Sequence, residues 1–288
     1  MTLAIVEVVI LSRPYFSPQH LLIASINKQD VGFLHWLPLP ESTGEGVIAN
    51  IAIIGTGQQD QIAATLLEHA CLQASHAGNR ELLFGQAPEH WTGYAGVGRY
   101  GMGGGIPESD LRGTQCALAG HFRPRRRLES YRLDLTTYRA TYDRELFAMR
   151  RTSKVERRRD VADQPFRIAA AMSHMEMNRF IAATQSGEQI ARAEVLLGDP
   201  EMMIVSGKAA LLNRWEGLSS RPSERDAAVR FVFSSMIAEL IADRIEYIQA
   251  TIEANRPDDA RLLESVGFQL DQRGVIYTQS LPAAERSV

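Results

Sequence analysis

The chain has 288 residues, 45% of them hydrophobic and 23% charged, with a formal net charge of −3. Those proportions exclude a disordered chain, the charge argues against a dedicated nucleic-acid binder, and the length suits two domains that each bury a core. No apolar run is long enough for a membrane span. The start, Met1-Thr-Leu-Ala-Ile-Val-Glu7, lacks the basic residues and cleavage site of a secretion signal, so a cytoplasmic protein is expected. Cys71 and Cys116 fall on predicted helix faces, as free thiols rather than a disulfide.

In chain order, Glu7 to Ser12, His20 to Asn27 and Val31 to Pro38 read as strands, with a hairpin turn at Asn27-Lys-Gln-Asp30. Gly46 to Ile54 is a further strand. The segment after it carries Ile62, Ala63, Leu66, Leu67, Ala70, Cys71 and Ala74, the spacing of one continuous helical stripe. Glu81 to Phe84 is strand-like. From Gly85 the chain combines Trp91, Tyr94, Tyr100 and Gly101-Met-Gly-Gly-Gly105, the makeup of a loop that lines a site or packs as an Ω-loop. A helix running into Leu118-Ala-Gly-His-Phe122 and a strand around Tyr131 to Leu135 follow, and Thr136 to Arg144 is the linker.

Beyond the linker, Phe147 to Arg151 reads as a strand, followed by a helical stretch and a strand from Met177 to Thr184. A turn at Gln185-Ser-Gly-Glu188 leads to further strands from Ile190 to Leu197 and from Lys208 to Trp215. A second striped helix has Ala228, Val229, Val232, Phe233, Met236, Ile237 and Leu240 at the relative positions of the first. Tyr247 to Ile252 is a strand, a helix ends at Val266-Gly-Phe268, and Gly274 to Tyr277 closes the chain. The second half therefore repeats the first, apart from the insertion after Phe84. Strands first and alternation later predict an α+β (mixed α/β) fold in two tandem domains, residues 1–138 and 145–288, each a mixed, largely antiparallel sheet flanked by helices.

The segments Ala250-Thr-Ile-Glu-Ala-Asn255 and Ala260-Arg-Leu-Leu-Glu-Ser-Val-Gly-Phe268, within this element order, resemble the GNAT N-acetyltransferase superfamily, here in tandem. Leu11-Ser-Arg-Pro-Tyr-Phe16 and Val31-Gly-Phe-Leu-His35 are similar to the opening of the N-terminal domain of tandem bacterial members. The resemblance implies acetyl-CoA or another acyl-CoA as donor, a small-molecule amine as acceptor and no metal. The histidines show no metal-ligand spacing.

A pyrophosphate is best held by free N–H groups at a helix N-terminus. That places Gln58, Gln59, Gln61, Ile62 and Ala63 in the first copy, and Arg221, Ser223, Arg225, Asp226, Ala227 and Ala228 in the second, as candidate cofactor contacts. The glycine usual in the family's loop is replaced by Gln61 or Ala227, and Asp60 and Asp226 read first as helix N-caps. Asn255 lies where the resemblance puts a contact to the pantetheine arm; a cap before Pro257 is the other reading. Glu216, at the end of a strand beside the implied cleft, is the candidate base. Trp91, Tyr94 and Tyr100 are candidate substrate contacts. Where many members carry a general-acid Tyr, this chain has Ala117 and Leu263, which leaves Tyr94, Tyr100 or Tyr277 to replace it.

The Arg123–Arg127 and Arg150–Arg159 clusters could attract the CoA 3′-phosphate, an acidic acceptor or nucleic acid, but read first as interdomain ion pairs with residues such as Asp134, Asp143 and Asp160, or as a solvated face. An N-acyltransferase is the leading reading and a catalytically inactive ligand- or partner-binding pair of GNAT domains the alternative. A monomer or a homodimer fits either.

Overall fold

Strands and helices with one apolar face each must stack as layers to bury it. In a computed structural model, residues 6–13, 16–39, 44–55, 57–97, 100–139, 144–159, 169, 172–198, 205, 208–219 and 222–282 are described. In chain order they form β1 (Leu21–Ile26), β2 (Gln29–Pro38), β3 (Glu45–Ile53), α1 (Gln59–His76), β4 (Glu81–Phe84), β5 (Ile106–Pro107), α2 (Leu111–Ala119) and β6 (Arg123–Asp134). Then come α3 (Arg144–Thr152), β7 (Ser153–Arg158), β8 (Met175–Thr184), β9 (Gln189–Gly198), β10 (Ala209–Gly217), α4 (Pro222–Ala242), β11 (Tyr247–Glu253), α5 (Pro257–Val266) and β12 (Gln269–Ser280).

The chain divides into two compact units, one of residues 1–128, 165–172 and 272–288, the other of residues 129–164 and 173–271. In the first the strand order is β1-β2-β3-β4-β12, with β5 also on β12; in the second it is β6-β11-β10-β9-β8-β7. The β3/β4 and β10/β11 pairs are parallel. The β1/β2, β2/β3, β4/β12, β7/β8, β8/β9 and β9/β10 pairs are antiparallel. Both sheets are thus mixed and mostly antiparallel, as the sequence predicts.

The closing strands are exchanged. From Gln272 onward β12 completes the first unit, with Tyr277 opposite Phe84, and from Glu129 onward β6 lies beside β11 in the second. The boundaries read from the sequence, 1–138 and 145–288, kept each closing strand with its own copy, and the compact units differ from them there. Alternation tells which face of a strand is buried but not which edge it completes.

Every residue of the two predicted helical stripes is buried. The α1 stripe packs on Leu34, Trp36, Ile48, Leu82 and Phe84, and the α4 stripe on Phe180, Ala193, Val195, Leu212 and Ile248. At roughly 1.5–3 kcal/mol for each large side chain taken out of water, these stripes hold the helices on their sheets. Asn27 and Lys28, at φ 51 and 67°, make the two-residue turn that suits a hairpin twist. No helix among the described residues is long and apolar enough to cross a membrane.

Two predicted strands are helical. Glu7–Leu11 is a π-helix in which Val9 and Ile10 are buried and Val8 and Leu11 exposed, a helical burial pattern rather than alternation. Arg144–Thr152, which contains the predicted strand Phe147 to Arg151, is α3: good helix formers place Leu146 and Met149 on the core of the second unit. β7 follows it directly.

Among the described residues the arginine clusters pair with glutamates and with Asp243. Arg125 binds Glu45 and Glu81 at 2.8 and 2.7 Å, Arg157 binds Asp243 at 2.6 Å, and Arg126 binds Glu89. Asp134 accepts hydrogen bonds from Thr136 instead, and Asp143 and Asp160 lie outside the described residues.

Candidate functional site

In the second unit β10 and β11 run paired only from Ala209 to Leu212 and from Tyr247 to Ala250. On the other edge of β10, Leu212 stands opposite Val195 and Arg214 opposite Glu194, so Asn213 is an extra residue. Such a bulge bends the strand. Beyond it β10 continues to Gly217 against β9 alone, and the two parallel strands open into a V. The ladder between β10 and β11 ends at Leu212 and Ala250.

The chain then turns into α4. A Cβ on Gly217 would lie 2.7 Å from the Cβ and 2.8 Å from the Cα of Arg225, so the absent side chain is what lets the first turn of α4 close over the end of β10. Ser219 Oγ donates to Glu224 Oε2 at 3.0 Å, and Arg225 Nε donates to the Ser219 carbonyl at 2.9 Å. The Arg225 guanidinium is therefore partly engaged by its own loop.

Helix α4 starts at Pro222, a residue well suited to a first helical position. Asp226 is its fifth residue and not an N-cap, which corrects the cap reading. Asp60 is likewise inside α1, whose N-cap is Gln58. Ala228 is buried in the stripe and Ala227 half-buried beside it. Arg221 and the side chain of Ser223 lie outside the described residues.

At the far end of the V, β11 gives way to Asn255. Its side chain is exposed and makes no hydrogen bond among the described residues, and the N-cap of α5 is Arg256, with no side-chain capping bond. The capping reading of Asn255 is therefore not what the structure shows. Glu216 stands directly opposite Arg192, is ion-paired to it, and lies 3.5 Å from Arg214 Nη2.

The first unit repeats the V and closes it. β3 and β4 pair from Glu45 to Ile48 and from Glu81 to Phe84, and Ala49 is the bulged residue, between Ile48 opposite Trp36 and Asn50 opposite His35. Two residues past β4, the fully buried Gln86 donates Nε2 to the Ala49 carbonyl at 2.8 Å, bridging the diverging strands. The insertion packs over this bridge. Trp91, Tyr94, Ala95 and Val97 are buried, Trp91 stacks against Gly103 so closely that a Cβ there would lie 2.7 Å from its ring, and Tyr94 Oη is 3.2 Å from His35 Nδ1.

Tyr100 donates to Asp110 Oδ2 at 2.8 Å, while Asp110 Oδ1 caps α2 by accepting from the Gly113 N–H. Burial, and to a smaller degree the charge of His20, pushes the His35 imidazole down to about 4. Trp91, Tyr94 and Tyr100, the predicted substrate contacts, are thus held by the protein itself.

At the start of α1 the Gln58 carbonyl accepts from the Ile62 N–H, and Ile62 and Ala63 are buried in the stripe. The exposed Gln61 and Gln58 line a groove of about 620 Å³ along β1, between Leu22 and Ile26. Ala117 and Leu263, at the positions of the missing tyrosines, are fully buried, and Tyr277 is buried in the first unit opposite Phe84.

Sequence reading missed Gln86, the bulges and the charged residues Arg179, Arg192, Glu194 and Arg214. The bulges do leave a signal. Core residues fall at Ala210 and Leu212 and then at Trp215, and at Ile48 and then Ile51 and Ile53, a slip in the phase of alternation.

Solved structures share this architecture. A tandem GNAT protein from the clavulanic acid biosynthesis pathway superposes with a TM-score of 0.63 at 12% identity, over 94% of this chain and 86% of that one. A GCN5-related N-acetyltransferase from Sphaerobacter thermophilus gives 0.55 at 10% identity, over 94% and 84%. A GCN5-related glucosamine N-acetyltransferase region of a fungal multi-domain GH3 β-N-acetylglucosaminidase gives 0.60 at 10% identity, over 88% of this chain and 32% of that one. No protein-family model and no curated protein sequence matches the chain. At such identities the likeness is one of fold, and the fold is the tandem GNAT fold.

Proposed function

We propose that the chain is an acyl-CoA-dependent N-acyltransferase acting on a small-molecule amine, with acetyl-CoA as donor and the second unit as the working cleft. The observation that carries this is the contrast between the two openings. At Asn213 β10 parts from β11 beside the first turn of α4, which Gly217 lets close over the end of β10, while the opening at Ala49 is bridged by Gln86 and covered by packed aromatics.

The residues of the second unit fit the donor. The first-turn N–H groups of α4, brought over the end of β10 by Gly217, suit a pyrophosphate. The segment Arg214 to Gly217, past the end of the β10/β11 ladder, suits the amides of the pantetheine arm, and Asn255 offers a side-chain amide at the end of β11. Glu216 faces away from α4, where an acceptor meets a thioester that enters from the helix side, and takes the proton of the attacking amine directly or through water. The new C–N bond forms as the C–S bond breaks, and the thiolate leaves with a proton drawn from solvent, since Ala117 and Leu263 supply none. The absence of metal from the proposed reaction, a cytoplasmic location, and a monomer or homodimer belong to the same reading.

A second reading, a ligand-binding pair without turnover, is favoured by one observation: the acid position of the second unit is the buried Leu263. Release of CoA thiol from acetyl-CoA over a panel of small amines, with the acetylated product identified by mass, separates the two. Thiol release that depends on amine and falls in Glu216→Gln supports transfer. Saturable acetyl-CoA binding with no release for any amine supports the second reading.

A further inference from the structure

Across the sheet of the second unit, on the face opposite α4, charged residues stand in two adjacent rungs. Arg179 of β8 is opposite Glu194 of β9, which is opposite Arg214 of β10. In the next rung Arg192 of β9 is opposite Glu216 of β10. The face is known because Phe180, Ala182, Ala191, Ala193, Val195 and Leu212 alternate with these residues and pack in the α4 core. Three guanidinium groups thus meet two carboxylates.

The pairing is uneven. Arg179 and Glu194 form a 3.1 Å pair with side chains only 8% and 7% exposed, and Arg192 holds Glu216. Arg214 is left with a loose 3.5 Å contact to Glu216, and its side chain is 59% exposed. It is also the first residue after the bulge, where β10 leaves β11. Burying an ion pair such as Arg179–Glu194 costs desolvation that apolar residues would avoid. The corresponding positions of the first unit are nearly all uncharged: Leu21, His35 and Asn50 in one rung, Phe33 and Ala52 in the next. Among the described residues, these two rungs carry charge in the second unit and not in the first.

We propose that the acceptor of the second unit carries a carboxylate beside its amine, and that Arg214 holds that carboxylate. This rests on the acyl-transfer reading of that unit. A guanidinium with free donors recognises a carboxylate through two parallel hydrogen bonds. Glu216, two residues along the same face, then receives the ammonium end of the molecule. The chemical class is an amino acid or a close relative of one.

The test is steady-state acetylation of matched amines with the carboxylate present, esterified or absent. Suitable probes are the α-amino acids, 4-aminobutyrate and its methyl ester, phenylalanine and its amide, butylamine and phenethylamine. Wild type, Arg214→Gln and Arg214→Lys are compared, with acetyl-CoA affinity measured separately by calorimetry. The expected result is a preference for carboxylate-bearing amines. Arg214→Gln should lower their kcat/KM about 10- to 100-fold, the range of a hydrogen bond to a charged group. Arg214→Lys should recover part of this, and acetyl-CoA affinity should not change.

Equal use of free and esterified carboxylates, an equal loss for every acceptor in Arg214→Gln, or turnover of butylamine and phenethylamine with none of any carboxylate-bearing amine would overturn the inference alone. Failure of acetyl-CoA to bind at all would overturn the acyl-transfer reading and this inference with it.

Discussion

The side-chain amide of Gln86 reaches the carbonyl of Ala49, the residue that β3 bulges out, at 2.8 Å. A bulge frees a backbone acceptor, and in the first unit that acceptor is satisfied from within the chain. Gln86→Leu leaves a buried carbonyl unpaired and is expected to destabilise the first unit by about 1–3 kcal/mol. Acetyl-CoA turnover should not change. Urea unfolding and a turnover assay on the same preparation check both halves, and a variant that keeps wild-type stability would show that the bridge contributes nothing.

His35 is 1% exposed and its imidazole is pushed down to about 4. The unfolded chain, with an ordinary histidine near 6.5, binds the proton that the folded chain refuses. The contribution of His35 is therefore fully present above about pH 6.5 and is lost as pH falls toward about 4, up to about 3 kcal/mol. Urea midpoints between pH 7.5 and 4.5 should fall less steeply in His35→Phe than in wild type. Parallel curves would refute the assignment.

The exchanged strands make the first unit depend on the end of the chain. Val275, Ile276 and Tyr277 are buried, and Val275 pairs with Ile106 as Tyr277 pairs with Phe84. A chain ending at residue 271 should lose hydrogen-exchange protection along α1 while α4 keeps its own. Equal loss in both helices, or in neither, would contradict the division into these two units.

Gly217→Ala puts a methyl group 2.7 Å from the Arg225 side chain and against its backbone. The first turn of α4 has to move away from β10, so acetyl-CoA binding should weaken at least about tenfold, a loss of one well-placed anion contact. The melting temperature should shift by only a few degrees. Unchanged binding would place the pyrophosphate elsewhere.

Much of this was legible in the sequence. The stripes from Ile62 to Ala74 and from Ala228 to Leu240 mark both helices because burial on one face imposes a 3.6-residue period. Gly267, at φ 105° after α5, marks that helix end because few other residues tolerate the conformation. The short helix Arg144–Thr152 was not legible as a helix, since its two core contacts, Leu146 and Met149, are too few to set a period. Nor could the sequence show that β6 and β12 change places.

At the site, Asn255 was named from the family resemblance and Glu216 from its place near the end of a strand. Their neighbours were harder. Arg192 and Arg214 meet Glu216 only through strand register, which is a tertiary property. The aromatic insertion was visible as a loop of unusual makeup, but only the Gln86 bridge shows that it packs over an opening.

The central claim is that one cleft per chain, the one at Asn213, takes the acyl donor. A calorimetric titration of acetyl-CoA into wild type, Asn255→Ala and Gln86→Leu tests it most directly. The account predicts one site per chain, weakened in Asn255→Ala and unchanged in Gln86→Leu. Two sites per chain, a site that responds to Gln86→Leu alone, or no binding into the millimolar range would contradict it.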